Sequence, residues 1–433
     1  MFKSIIILLC VLVSTNMYSQ ETNYKQVDQF AKEIEKTIID LRRSFHQNPE
    51  LSNREFKTAE NIADIMLKMG FKVDTGIAKT GVVAVLDTGR PGPTVGLRAD
   101  IDGLPVTERT PVPFASTVTS EFLGEKVGVM HACGHDTHIA MLIGAAHVLN
   151  KMKNQLTGKV VFVFQPAEEG APPGEEGGAE LMVKEGLIDT YGIDVMFGQH
   201  ISSGLDVGKI RYRVGGIMAA VNRMVIKVKG KQTHGSRPWS GVDPITTSAQ
   251  IIMGLQTIIS RQTELTKEAA VISIGKIKGG LRSNIIPEEV EMIGTIRTLD
   301  KGMQKDIHEK IRRTVINIAE SAGAVAEVTI EKGYPITYNN PELTRSMIGS
   351  LYNAIGEENV MITAASTGAE DFSFFAQEVP GMFYFVGGKP LDVSEFDAAP
   401  HHTPDFFIDE SGLIVGVKGF AALTLDYMKK HSK

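Results

Sequence analysis

Apolar residues recur at helical spacing from Thr37 to Met69, and Gly70 stops that pattern before the strand-like Phe71-Lys72-Val73. A second strand, Val82 to Leu86, follows the turn at Gly81. Thr94 to Asp100 and Lys159 to Gln165 read as buried strands, and each leads into acidic residues. Between them, Thr137 to Leu149 reads as a helix. Strand, helix, strand in this order predicts an α/β fold, a mainly parallel sheet with helices on both faces, whose ligand groups gather beyond the carboxyl ends of the strands.

From about Met218 the texture changes to alternating strands, Arg223 to Lys229, Val271 to Lys278 and Val290 to Arg297, with helical stretches Pro244 to Arg261 and Lys301 to Ala322. This predicts a smaller α+β domain inserted into the first. After Tyr334 and Pro335 a helix, the apolar strand Met382 to Val386 and a final helix, Ser411 to Lys429, resume the earlier pattern. The expected division is 1–19 as a signal peptide, 20–217 and 331–433 as the two parts of one domain, and 218–330 as the insertion.

A length of 433 residues with 42% hydrophobic composition suits two domains rather than one core. The net charge of −6 leaves no broad basic balance with which to hold a phosphate backbone, so nucleic acid is not an expected partner. Lys3, the apolar run Ile5 to Val13 and the polar Ser14 to Ser19 have the order of a secretory signal, which implies an exported, periplasmic or extracellular protein. The apolar run is short for a membrane span, and no stable membrane partner is expected. Removing it takes Cys10 with it and leaves Cys133 as the only cysteine, so no internal disulfide can form.

That lone thiol sits in His131-Ala132-Cys133-Gly134-His135-Asp136-Thr137-His138, directly before a predicted helix. Thiolate and imidazole are ligands that zinc prefers, and manganese or cobalt accept imidazole. Extended chain through Gly134 would point Cys133 and His135 to one side, and Asp136 is placed to cap the helix. An isolated Cys-x-His is more often a buried structural cysteine beside surface histidines, so the pair gains weight only from its partners. Glu168-Glu169 emerges after a buried strand, where adjacent carboxylates can divide metal binding from proton transfer. His200 ends another apolar stretch, and His401-His402-Thr403-Pro404 sits in a late loop; each alone reads as a polar loop residue. Together the segments supply one thiolate, one or two carboxylates and three imidazoles, a set suited to two divalent ions.

The sequence resembles the hippurate hydrolase, auxin-conjugate hydrolase and N-acyl-amino-acid amidohydrolase branch of the aminoacylase and carboxypeptidase G metallopeptidase superfamily. The marks are Leu97-Arg98-Ala99-Asp100-Ile101-Asp102-Gly103-Leu104-Pro105, His131 to His138, Gln165 to Gly170, His234-Gly235-Ser236-Arg237-Pro238, Ser283 to Pro287, Gly368 to Phe372 and His402-Thr403-Pro404. The resemblance implies two divalent metal ions (zinc, manganese or cobalt) held by Cys133, His135, Glu169, His200 and His402, with Glu168 as general base and acid. It implies that Asp100 orients a ligand, that His234 of the inserted domain donates to the oxyanion, commonly across a homodimer, and that Asn284 and Arg297 grip a substrate carboxylate. Arg98 stands where the carboxypeptidase branch has a histidine, so no metal role is assigned to it. The expected reaction is hydrolysis of the amide of an N-acyl amino acid; a dipeptidase or carboxypeptidase with the same metal chemistry, or a solute-binding protein without turnover, are the alternatives. The loop Ala171 to Gly178 is longer than in the shortest family members and would reshape the pocket entrance.

Overall fold

The structure, a computed structural model, describes residues 2–432, with side chains from residue 23 onward. The expected signal segment, residues 1–19, lies outside the described side chains. Among the described residues no helix is long and apolar enough to cross a membrane.

The chain divides into two units. The larger comprises the chain up to Gly215, Asn339–Thr363 and the residues from Phe374 onward. Its sheet has eight strands, in spatial order Lys72–Ile77, Gly81–Asp87, Lys159–Gln165, Thr94–Asp100, Val195–Asp206, Gly381–Lys389, Ile210–Tyr212 and Val360–Ile362. Lys159–Gln165, Thr94–Asp100, Val195–Asp206 and Gly381–Lys389 run parallel to one another and form the centre, with antiparallel strands on either side. All seven residues of Thr94–Asp100 are buried, which requires cover on both faces of the sheet.

One covering helix, His135–Lys151, is buried nearly all round. Its small residues make that possible: a Cβ on Gly144 would come within 2.6 Å of Val417 and 3.0 Å of Ile38, side chains of the helices Leu413–His431 and Phe2–Gln47. These elements share one continuous apolar core.

The helical pattern expected from Thr37 to Met69 is broken in two. Helix Phe2–Gln47 ends before Asn48-Pro49, and a second helix, Phe56–Lys68, begins after a turn in which Asn53 has φ 61°. Proline removes a backbone donor and drives the residue before it out of helical conformation. The intervening loop carries Ser52 and Glu55, both buried. A hairpin, Thr119–Phe122 with Glu125–Gly128, was also not anticipated, because its mostly polar residues carry little alternating apolar signal.

The smaller unit is Gly216–Tyr338 together with Ala364–Ser373. Its antiparallel sheet runs Ala270–Gly279, Glu289–Thr298, Ala220–Lys229, Val325–Lys332. Burial along Ala220–Lys229 alternates, as expected of a sheet covered on one face, here by helices Pro244–Gln262 and Lys301–Ser321. Asp243, followed by Pro244, caps the first helix through Ile245 N–H at 2.8 Å, and Asp300 caps the second through Met303 N–H at 2.8 Å. Ala364–Ser373 joins this unit through a bridge from Met218 to Ser366 and a 2.8 Å bond from Ala219 N–H to the Gly368 carbonyl.

Candidate metal centre

Four separate segments at the carboxyl end of the parallel strands converge on one thiol. Cys133 Sγ lies 3.4 Å from His200 Nε2 and 3.2 Å from His402 Nε2, and His402 Nε2 is 3.0 Å from Glu169 Oε1. His135 Nε2 faces the same space, 3.8 Å from Glu169 Oε1 and 3.9 Å from Glu168 Oε2. Cys133, Glu169 and His402 form one group that could hold an ion, and Cys133 and His200 belong to another.

Local backbone sets these positions. Cys133 and His135 are joined not by extended chain, as expected, but by a left-handed turn at Gly134 (φ 91°), where a Cβ would meet Ile201 at 2.4 Å. Only glycine fits that conformation and that gap. The Glu168-Glu169 pair follows Ala167, a non-glycine residue at φ 51°, and His402 itself has φ 63°. Such conformations persist where surrounding bonds hold them: Glu55 Oε1 accepts from Ala167 N–H at 2.9 Å, and His402 N–H donates to the Ala132 carbonyl at 2.8 Å. His200 lies inside its strand rather than at its end. Pairing with Thr94–Asp100 stops at Gly198, while pairing with Gly381–Lys389 carries the strand on to Asp206.

One buried polar atom at the centre lacks a hydrogen-bonding partner, His135 Nε2. His135 Nδ1 lies 3.1 Å from Asp102 Oδ1, an arrangement that in the neutral ring directs the Nε2 lone pair at the shared space, as in carboxylate–histidine–metal triads. The electrostatics agree that the cluster lacks positive charge. Burial opposes protonation of His135, but Asp100, Asp102 and Glu169 outweigh it and push its pKa up to about 10. Burial, with Glu169 and Glu168, pushes the Cys133 thiol well up. Sulfur, imidazole and carboxylate donors around a space that favours positive charge fit divalent ions.

Asp102 joins the cluster although the pattern of strands did not single it out. Besides His135, its carboxylate accepts from Ser52 Oγ at 2.7 Å and from Glu169 N–H at 3.1 Å, so it fixes two of the candidate ligands together. Asp100 is placed differently. It takes Arg98 Nη1 at 2.8 Å and a short bond with His138 Nδ1, while His138 Nε2 accepts from Ile201 N–H at 2.8 Å. Asp100 thereby braces the strand bearing His200 and lies 3.7 Å from His135 Nε2.

The two adjacent late histidines separate clearly. His401 spends both ring nitrogens on backbone, Nδ1 on the Cys133 carbonyl and Nε2 on Ser203 N–H, each at 3.2 Å. His402 presents Nε2 to the centre. Asp136 makes no helix cap, because buried Arg42 and His46 take its carboxylate at 2.7 and 2.8 Å.

In the smaller unit, His234 and Asn284 come together where Thr233–His234 pairs with Ile285–Ile286; Gly235 N–H donates to the Asn284 carbonyl at 2.8 Å. Ser236 N–H donates to His234 Nδ1 at 3.1 Å, which leaves the proton on an exposed Nε2. Arg297 projects from Glu289–Thr298, half-buried, with no acidic partner among the described residues, and burial lowers its pKa.

Residues 96–426 match peptidase family M20/M25/M40, and the chain belongs to this family. It is thereby a metal-dependent hydrolase of amides. It is 41% identical to thermostable carboxypeptidase 2 of Saccharolobus solfataricus, over 92% of this chain and 97% of that one. It is 36% identical to N-acetyl-L-cysteine deacetylase of Bacillus subtilis, over 88% and 86% of the two chains. A solved Bacillus subtilis structure, described as a dinuclear metal-binding peptidase from the M20 family, matches with a TM-score of 0.76 and 33% identity, covering 92% of this chain and 99% of that one.

Proposed function

We propose that this chain is an exported amidohydrolase that cleaves N-acyl amino acids to a carboxylic acid and a free amino acid, using two divalent ions, zinc, manganese or cobalt. The observation that carries this is the left-handed turn at Ala167, which sets Glu168 and Glu169 side by side against the Cys133, His135, His200 and His402 donors. Binding alone would not need a second carboxylate there. The order of residues 1–19, Lys3 then an apolar run then polar residues, supports export.

Cys133, His135, Glu169, His200 and His402 would hold the ions. When bound, such ions polarise the scissile carbonyl and make water a better acid. Glu168, buried at the edge of the cluster, takes the proton from the attacking water at a carboxylate oxygen and hands it to the departing amine. Asp102 and Asp100 keep His135 and the neighbouring strand in place. His234, with its proton on Nε2, is suited to donate to the oxyanion, and a homodimer formed through the smaller unit is the arrangement that would bring it to a partner's centre. Asn284 and Arg297, an arginine without an acidic partner among the described residues, suit the substrate carboxylate.

A second reading, a carboxypeptidase or dipeptidase with the same chemistry, is supported by the 41% identity to a thermostable carboxypeptidase. One experiment addresses both. Wild type and Glu168→Gln are assayed on N-acetyl and N-benzoyl amino acids beside dipeptides, with metal content measured in parallel. The expected result is acyl amino acid cleavage that falls about 10²- to 10⁴-fold in the variant with metal retained. Cleavage of dipeptides alone would replace the first reading with the second, and undiminished hydrolysis in the variant would remove Glu168 from the mechanism.

A further inference from the structure

The first helix, Phe2–Gln47, carries Arg42, Arg43 and His46 near its end. Arg42 and His46 stand four residues apart, so they share one face of the helix, and both are buried. Asp136 lies 2.7 Å from Arg42 Nε and 2.8 Å from His46 Nδ1, and Glu108 lies 3.1 Å from His46 Nε2. Glu410 lies 3.2 Å from Arg42 Nη1 and 2.6 Å from Arg43 Nη2. Burial opposes a charge on His46, but Asp136 and Glu108 outweigh it and raise its pKa. Three cations thus meet three carboxylates, and the Phe114 ring lies 5.0 Å from both guanidinium carbons. A cluster balanced in this way has no charge left over for a substrate or an ion. Buried ion pairs also add little net stability, because desolvation offsets the attraction. Their consequence is to fix whatever the carboxylates are attached to.

Those attachments are parts of the metal centre. Asp136 directly follows His135, Glu108 comes after Asp102 in the same run, and Glu410 follows the loop that bears His402. The turn carrying Cys133 and His135 needs an outside hold. Its Gly134 accepts many backbone conformations, and no side chain caps the helix start there. The Asp136 carboxylate, turned away from the helix end, supplies that hold through Arg42 and His46. Resting on the five-residue metal centre of the amidohydrolase reading, we infer that Arg42 and His46 are positioning residues for it. Through Asp136 they fix the turn that presents Cys133 and His135, and through Glu410 Arg42 sets that turn against the loop that presents His402.

The chain beyond the helix continues the same work. Gly103 N–H donates to the Glu50 carbonyl at 2.7 Å, Ser52 Oγ donates to Asp102 at 2.7 Å, and Glu55 accepts from Ala167 N–H at 2.9 Å. Residues 42–55 therefore meet the start of helix His135–Lys151, the aspartate behind His135 and the turn that aims Glu168 and Glu169. An arginine is needed at position 42 because its fork reaches Asp136 and Glu410 with different nitrogens, which a lysine ammonium cannot reproduce.

The test is titration of the metal-free protein with cobalt(II), read by the near-ultraviolet thiolate-to-cobalt charge-transfer band, which reports Cys133 directly. Wild type is compared with Arg42→Lys and with the paired change Arg42→Met and Asp136→Asn, and thermal unfolding of each metal-free protein is followed alongside. The paired change removes both partners at once, so neither charge is left buried without the other. Both variants should bind cobalt(II) about 10- to 100-fold more weakly, with a weaker or displaced band at saturation, at a temperature where each remains folded. Affinity and band equal to wild type in both variants overturn the positioning role. A loss of affinity no larger than the loss of folded protein overturns it too, since an ordinary structural ion pair would give that. Cobalt(II) binding by wild type without the band removes Cys133 from the centre, and this inference with it. Failure of the amidohydrolase reading would appear separately, as no acyl amino acid cleavage by cobalt-loaded wild type, and would leave the titration result standing.

Discussion

At the scale of single residues, the donors of the centre were visible in the sequence because their chemistry is rare. One thiol among three histidines, and two adjacent glutamates after a buried strand, are unusual enough to notice without a fold. Asp102 was not separable in this way, since an aspartate after a strand has many ordinary uses. Its role is defined only by what folding brings to it: His135 Nδ1, Ser52 Oγ and Glu169 N–H. Asp102→Asn should keep the shape of the site but remove the charge that supports His135 and replace one acceptor by a donor facing Glu169 N–H. Outer partners of metal ligands are worth about 10- to 100-fold in affinity. Competition with a chromophoric chelator should therefore show metal release at about 10- to 100-fold lower chelator in the variant; identical titrations would reduce Asp102 to a packing residue.

At the scale of elements, periodicity located most helices and strands because burial dictates it, and it failed where conformation is set by single residues. The break at Asn48-Pro49 and the left-handed turns at Gly134 and Ala167 have no period, yet they aim the site. Glu55 links two of these. It stands at the end of the broken loop and, with no solvent exposure, accepts from Thr80 Oγ1 at 2.6 Å and from the strained Ala167 N–H. Burial, reinforced by the nearby Asp102 charge, pushes its pKa up to about 7, against an ordinary 4.5, although both donors pull the other way. A folded-state pKa above the unfolded one means that the folded protein holds the extra proton. The associated stability is complete below pH 4.5 and is lost as pH rises towards 7. Glu55→Gln keeps an acceptor and cannot ionise, so chemical denaturation should show wild type losing more stability than the variant between pH 4.5 and 7. Parallel stability profiles would mean that Glu55 ionises normally in the fold.

At the scale of the whole molecule, the change of texture near Met218 announces a second unit, but nothing in the sequence shows that Ala364–Ser373 belongs to it. That assignment depends on a bridge between residues almost 150 positions apart, Met218 and Ser366, and pairing at such separation leaves no local pattern. Each unit has its own apolar core. The candidate ligands all lie in the larger unit, at the start of helix His135–Lys151 and just before it, after strand Lys159–Gln165, within Val195–Asp206 and in the loop before Leu413–His431. Ions bound across four such segments have no comparable site in the unfolded chain, so their binding energy adds to the stability of that unit alone. At metal concentrations about a thousand times Kd, one site contributes about 4 kcal/mol. For a unit of this size that corresponds to a shift on the order of 10 °C. Calorimetry with and without a chelator should show the transition of the larger unit moving down by about that amount while the transition of the smaller unit stays in place. If both transitions move together, or neither moves, the ions are not held by these five residues alone.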